Sequence, residues 1–255
     1  AYEMLRSLVG SEMCIRDRSR DQHGRLYSLQ SKGFKMNKKH FYLIVDTETT
    51  KKQTVADFGC VVVDRAGRLH EQFGALLHGH FGRLPLFSNS YLPAEEFFSS
   101  QMVHRRRKNY DDMIEAGSRS ICSPQLVNLY LSRLLGQYDP ILTAYNLSFD
   151  FGKCANTSID LGIFSERFCL MRAAHRSICL SPEYDVFCRA NGHLTKTGKL
   201  SRTADTVAKF VARDCYDSLA DEPHTALEDA RDYEAPILGE ILKTRTRNEL
   251  LELCK

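Results

Sequence analysis

The chain has 255 residues, 43% of them AVILMFWYC and 26% charged, with 15 Gly and 7 Pro, a composition that fits one globular domain and excludes a disordered, collagenous or low-complexity protein. The longest uninterrupted apolar run, Phe41 to Val45, is far short of the roughly 18 residues a spanning helix needs, and no secretory h-region precedes a small-residue cleavage site, so neither membrane insertion nor secretion is expected. The formal charge of +3 belongs to the first 35 residues, which hold 7 Lys+Arg against 4 Asp+Glu, while the remainder holds 28 of each; an argument for a polyanionic partner must therefore come from local patches.

Residues 1–35 show neither helical nor strand periodicity. Ser11-Glu12-Met13-Cys14-Ile15-Arg16-Asp17-Arg18 resembles the translated end of a transposon sequencing adapter, and a native start is expected at Met36; the alternative is a disordered N-terminal arm. From there Phe41–Val45, Val61–Val63 after Ala56-Asp57-Phe58-Gly59, and Gln72–Leu77 are three short β-rich runs. Turn signals at Lys51-Lys52 and at Asp64-Arg65-Ala66-Gly67 separate them, which predicts an antiparallel meander. Pro93-Ala94-Glu95-Glu96 reads as the first turn of a helix, and Ser123-Pro124 starts another that carries Leu126, Tyr130, Leu131, Leu134 and Leu135 at helical spacing. A further strand, Ile141–Tyr145, runs into Asn146–Asp150. Beyond it lie an apolar run at Phe168–Met171, a Gly/Lys-rich turn at Thr195–Ser201, the helix Ala204–Val211, and a long C-terminal helical region interrupted at Pro236. Strands first and helices later, with one crossover strand, predict a mixed α/β domain built on a central sheet, with no second domain boundary beyond residue 36.

Three local patterns carry chemistry. Asp46 and Glu48, two apart at the end of the first strand, project their carboxylates from one face. Asn146-Leu147-Ser148-Phe149-Asp150 ends an apolar strand and opens a helix. In His224-Thr225-Ala226-Leu227-Glu228-Asp229, Thr225 and Glu228 have the spacing of a capping box; this predicts Thr225 as N-cap, His224 in the loop after Pro223, and Asp229 fixed in the first turn.

In this order, Asp46-x-Glu48, Asn146-x-x-Phe149-Asp150 and His224-x-x-x-x-Asp229 resemble the three motifs of the DEDD superfamily of 3′-to-5′ exonucleases, histidine subclass (DEDDh), which includes proofreading subunits of DNA polymerases and ribonuclease T. The resemblance runs from Phe41 to Leu238 and implies a ribonuclease-H-like mixed central sheet flanked by helices. Asp46-Thr47-Glu48-Thr49-Thr50, Ala56-Asp57-Phe58-Gly59, and Ala226 and Ala230 around the last motif are also typical of it. Lys51 replaces a common glycine after the first motif, Tyr145 stands where many members have histidine, and residues 78–121 are longer than in compact proofreading subunits.

Four converging carboxylates repel unless cations lie between them, and oxygen ligands favour hard divalent ions, so Mg2+ or Mn2+ is expected, two ions per site. By resemblance, Asp46, Glu48, Asp150 and Asp229 hold the metals, His224 is the general base, and Thr49 and Asn146 lie near the terminal nucleotide. The substrate implied is the 3′ end of single-stranded DNA, with an RNA trimmer as the nearest rival, since both use the same carboxylates. A polymerase partner and a cytoplasmic location accompany this reading. A catalytically silent nucleic-acid-binding accessory module is the rival from another class; loss of a motif residue would mark it, and all five are present.

Nine scattered cysteines without close CxxC pairs read as reduced thiols, and the separations of Cys169, His175, Cys179, Cys188 and His193 do not match a zinc finger or ribbon. His104-Arg105-Arg106-Arg107-Lys108, followed by Tyr110, is the densest basic run, readable as a phosphate-tracking, base-stacking surface or as a solvated helix face; Lys196, Lys199 and Arg202 form a weaker patch. On the first reading, changing Arg105, Arg106 and Arg107 together to Ala weakens substrate binding and flattens its salt dependence, with turnover at saturation little changed. Affinity measured across a salt series checks this, and an unchanged slope contradicts it.

Overall fold

The computed structural model describes residues 40–82, 110–213 and 223–253, all within one compact unit, Lys39–Lys255. The N-terminal segment 1–35, the helix start at Pro93 and the basic run with Arg105, Arg106 and Arg107 lie outside the described residues.

The predicted meander is present as β1 (Phe41–Thr49), β2 (Val55–Asp64) and β3 (Leu69–Leu77), paired antiparallel. Its apolar runs are continuous because both faces of the sheet are covered. Tyr42 and Ile44 of β1 enter one core, while Leu43 and Val45 enter the core on the opposite side. Three parallel strands complete the sheet: β4 (Ser120–Cys122) beside β3, β5 (Ile141–Ala144) beside β1, and β6 (Arg167–Cys169) beside β5. The order β4-β3-β2-β1-β5-β6 is a ribonuclease-H-like mixed sheet. The edge strands β4 and β6, at three residues each, are too short to show period-two alternation.

Helix α1 (Pro124–Tyr138) starts where the sequence predicts, with Ser123 accepting from the Leu126 N–H, and it buries Val127, Leu131 and Leu134. It shares one face of the sheet with α2 (Leu147–Asn156). Across the sheet lie α3 (Leu170–Ala174), α4 (Pro182–Ala190), α5 (Ala204–Ala212), α6 (Ala226–Glu228) and α7 (Ala235–Thr244), followed by α8 (Arg247–Glu252). The predicted interruption at Pro236 is a change of winding rather than a break. Residues Asp229–Glu234 form a π-helix between α6 and α7, and Pro236 then falls in the first turn of α7, where a missing N–H is tolerated. Among the described residues no helix is long and apolar enough to cross a membrane.

Gly59 of β2 and Gly74 of β3 are directly paired, so both leave the same sheet face bare. A Cβ on Gly59 would lie 2.2 Å from the Ala226 carbonyl carbon and from the Leu227 nitrogen, and one on Gly74 would lie 2.8 Å from the Arg119 guanidinium. Backbone cannot yield as a flexible side chain can, so the close seat of α6 on the sheet depends on Gly59. The expected result of Gly59→Ala is a loss of about 1–3 kcal/mol of stability, because the new methyl displaces α6. Gly239→Ala in α7, where an added Cβ meets nothing within 4 Å, serves as the control expected to keep or raise Tm, and paired thermal melts check both.

Candidate active site

Beyond Ile44 and Thr143 the pairing of β1 with β5 ends, and the C-terminal half of β1 emerges into an opening in the sheet. Asp46 and Glu48 lie there on the same face as Tyr42 and Ile44, both half-buried. Thr47 points to the other face, where its hydroxyl donates to Asp150 Oδ1 at 2.8 Å. Asp150 stands in the first turn of α2 and is buried, so its carboxyl approaches the end of β1 from the opposite layer. Burial pushes the Asp150 carboxyl up to about 7, against the opposing effect of the Thr47 hydrogen bond.

The third segment departs from its predicted capping. The Thr225 side chain makes no cap hydrogen bond, and Glu228 turns away to pair with Arg119. The cap comes instead from β2: Asp57 Oδ2 accepts the Ala226 N–H at 2.9 Å. A buried helix start cannot leave that donor without a partner, and the nearby sheet residue on the same face supplies the acceptor. Because β1 and β2 pair Asp46 with Gly59 and Glu48 with Asp57, the start of α6 is seated on the two β2 residues that face the first motif. Asp229 is then held by its N–H donating to the Thr225 carbonyl at 2.9 Å. His224 has φ of 55°, in the left-handed region, and its side chain is 49% exposed. Its Nδ1 lies 4.0 Å from Glu48 Oε1.

Glu234 is a site residue that the sequence did not reveal. Five positions after Asp229, it would sit about 140° around an α-helix from that residue. The π winding links i to i+5 and returns it to nearly the same side. It is 3% exposed; Oε1 accepts the Tyr145 N–H at 3.3 Å, and Oε2 is buried with no hydrogen-bond partner among the described residues. Burial first, then the charges of Asp46 and Asp150 and, more weakly, Asp229, push its carboxyl well above the usual range.

This donor set fits a hard divalent cation. Ligand atoms of Glu48, His224 and Asp229 all lie within 4.8 Å of one another, and among the described residues they form the only His/Cys/Asp/Glu group so placed. Asp46, Asp150 and Glu234 add further carboxyl oxygens beside it. The remaining predicted residues are dispersed. Thr49 follows a register shift at the end of β1, directly after Glu48. Asn146 precedes α2 and, with Ser148, Arg167 and Arg172, lines a cleft of about 580 Å³. Tyr110 cannot stack on a base, because it is fully buried and its hydroxyl donates to Asp57 Oδ2 at 2.8 Å. Lys196, Lys199 and Arg202 are exposed.

No family model matches this chain, and no curated protein matches it. Two solved structures that are similar to it are exonuclease I with the inhibitor BCBP, 14% identical over 84% of this chain and 43% of that one with a TM-score of 0.46, and E. coli exonuclease I with a 5cy-dT13 oligonucleotide, 15% identical over 84% and 42% with the same TM-score. The chain spans less than half the length of either.

The raised carboxyls have a consequence for stability. With Asp150 moved from an ordinary 3.8 to about 7, and Glu234 moved the same way, the folded protein binds more protons than the unfolded chain in that window. Stability therefore falls as pH rises from about 4 to about 7. Thermal melts in chelator should show Tm decreasing over this interval, with Mn2+ or Mg2+ restoring it most at the alkaline end. A Tm that is flat or rising in chelator contradicts the assignment.

Proposed function

We propose that this protein is a metal-dependent 3′-to-5′ exonuclease of the DEDDh type, with its catalytic domain in residues 36–255, acting on single-stranded DNA 3′ ends. The observation that carries the reading is the meeting of three distant segments at one opening of the sheet: Glu48, His224 and Asp229 with ligand atoms within 4.8 Å, and Asp46 and Asp150 close enough to act electrostatically on the same buried Glu234.

Asp46, Glu48, Asp150 and Asp229 would hold two Mg2+ or Mn2+ ions. When bound, such ions acidify a water and stabilise charge on a leaving oxygen. The protein's own residues do the rest. Thr47 orients the Asp150 carboxyl through its hydroxyl, and the seat on Gly59 and Asp57 fixes Asp229. His224, exposed and beside Glu48, takes the proton from the attacking water. The water oxygen bonds to the terminal phosphorus, the P–O3′ bond breaks, the shortened strand keeps the 3′ hydroxyl, and a 5′-mononucleotide leaves. Thr49, which follows Glu48 on β1, and Asn146, which lines the cleft, are proposed to meet the terminal nucleotide, and Arg105, Arg106 and Arg107 are proposed on sequence alone to track phosphates. A cytoplasmic setting, a polymerase partner and an N-terminal segment foreign to the native protein belong to the same reading.

The test is nucleotide release from matched 3′-labelled single-stranded DNA and RNA by the full chain with Mg2+, beside Asp46→Ala and His224→Ala. Stepwise, metal-dependent loss from the 3′ end is expected, faster on DNA, with Asp46→Ala abolishing it and His224→Ala lowering kcat by about 100-fold or more. Faster release from RNA would assign the protein as an RNA trimmer. Binding without cleavage of either polymer would assign a silent accessory module.

A further inference from the structure

Beside the candidate site, on β2 where Asp57 pairs with Glu48, lies a largely buried charge network. Arg119, 2% exposed, immediately precedes β4. Its Nη2 donates to Glu228 Oε2, and its Nε lies 3.4 Å from Asp57 Oδ1 as an ion pair without hydrogen-bond geometry. The other Asp57 oxygen accepts from the Tyr110 hydroxyl at 2.8 Å and from the Ala226 N–H at 2.9 Å. The guanidinium reaches this place only because residue 74 lacks a Cβ. Tyr110 and Arg119 both come from the long connection between β3 and β4, the part of the chain for which the exonuclease resemblance assigns nothing.

An arginine taken wholly out of water is costly unless both its geometry and its partners are satisfied, and a planar guanidinium can span two carboxylates where an ammonium serves as a point charge. The two acids it spans lie on different elements. Asp57 belongs to the sheet and caps α6, while Glu228 belongs to α6 itself and directly precedes Asp229. The guanidinium therefore ties α6 to the sheet at its third residue, and Asp57 ties it at its first. His224 is two residues before the first tie and Asp229 one residue after the second.

We propose that Arg119, supported by Tyr110, is a positioning residue of the candidate active site, holding the His224–Asp229 segment over β1 by bridging Asp57 and Glu228. The kinetic arm of its test rests on the exonuclease reading and the Mn2+ arm on the metal site within it, while the hydrogen-exchange arm rests on neither.

The experiment compares the full chain with Arg119→Lys, Glu228→Gln and Tyr110→Phe, the last of which keeps every charge and removes one hydrogen bond. Three quantities are read: hydrogen exchange at the Ala226 and Leu227 amides, Mn2+ affinity by electron paramagnetic resonance, and kcat and KM on 3′-labelled single-stranded DNA. The expected result for Arg119→Lys is faster exchange at both amides, Mn2+ affinity lower by about tenfold, and kcat lower by about tenfold or more at nearly constant KM. Tyr110→Phe should move all three in the same direction by several-fold, and it decides the matter if Arg119→Lys does not fold. Folded variants with unchanged exchange and unchanged Mn2+ affinity would overturn the proposal, as would a rise in KM with kcat preserved. If the unmodified chain cleaves nothing, the exonuclease reading fails, while hydrogen exchange at Ala226 and Leu227 still decides the role of Arg119 in holding the segment.

Discussion

The backbone of α6 rests directly on a sheet with no side chain between them, and most of the candidate site follows from that contact. A helix start has N–H groups without intrahelical acceptors, and on the surface water would satisfy them. Gly59 removes that option by letting Ala226 approach the sheet too closely for solvent. An acceptor must then come from the same face of the same strand, and Asp57, two residues away, provides it at the positive end of the helix. Burying that carboxylate raises its own cost, because desolvation pushes Asp57 upward while Arg119 opposes the shift. The arginine in turn needs Gly74. One close approach thus accounts for two paired glycines, a buried acid and a buried base.

The acids at the opening share that balance. Asp57 below the seat is raised by burial against the opposing charge of Arg119, and Asp150 and Glu234 are raised chiefly by burial, Glu234 also by its acidic neighbours. Lys153 moderates Asp150, but its ammonium group packs over the exposed Phe149 ring and donates to Gln53. Negative charge gathered from both layers of the sheet is therefore stable in two ways: by taking up protons or by taking up cations. Protonated carboxyls bind divalent ions poorly, so metal and proton compete for the same oxygens.

The sequence carries much of this. Period and turn chemistry mark the meander, the start of α1 and the strand into Asn146, because each is long enough to repeat or is punctuated by Gly, Pro or Ser. Asp46 and Glu48 fall on one face, as alternation requires. What escapes is what depends on contacts between distant segments. Thr225-x-x-Glu228 has the spacing of a capping box, yet the acceptor came from Asp57 and the glutamate went to Arg119, a competition that no local pattern records. Tyr110 next to a basic run reads as a surface aromatic until its hydroxyl is found on Asp57. Glu234 is hidden by its spacing, since only π winding brings it round. One signal was available: an aspartate within the apolar run of β2 needs a buried partner, and Asp57 has three.

In the proposed mechanism the last motif divides its work between its two ends. A carboxylate proposed to hold metal has to be immobile, and Asp229 is buried with its backbone hydrogen-bonded one turn into the helix. A group proposed to accept protons from the site and release them to solvent has to reach both, and His224 is half exposed beside Glu48. Backbone and side chain both position it: Pro223 precedes it, the buried Thr225 follows it, its φ of 55° is left-handed, and its Nδ1 lies 4.0 Å from Glu48 Oε1 on β1. A non-glycine residue there carries strain, which the ties at Ala226 and Glu228 must sustain. The four-residue gap between His224 and Asp229 thus corresponds to a left-handed residue, an extended Thr225 and one helical turn, a path by which a single segment offers both a fixed oxygen and an exposed nitrogen beside Glu48 on β1.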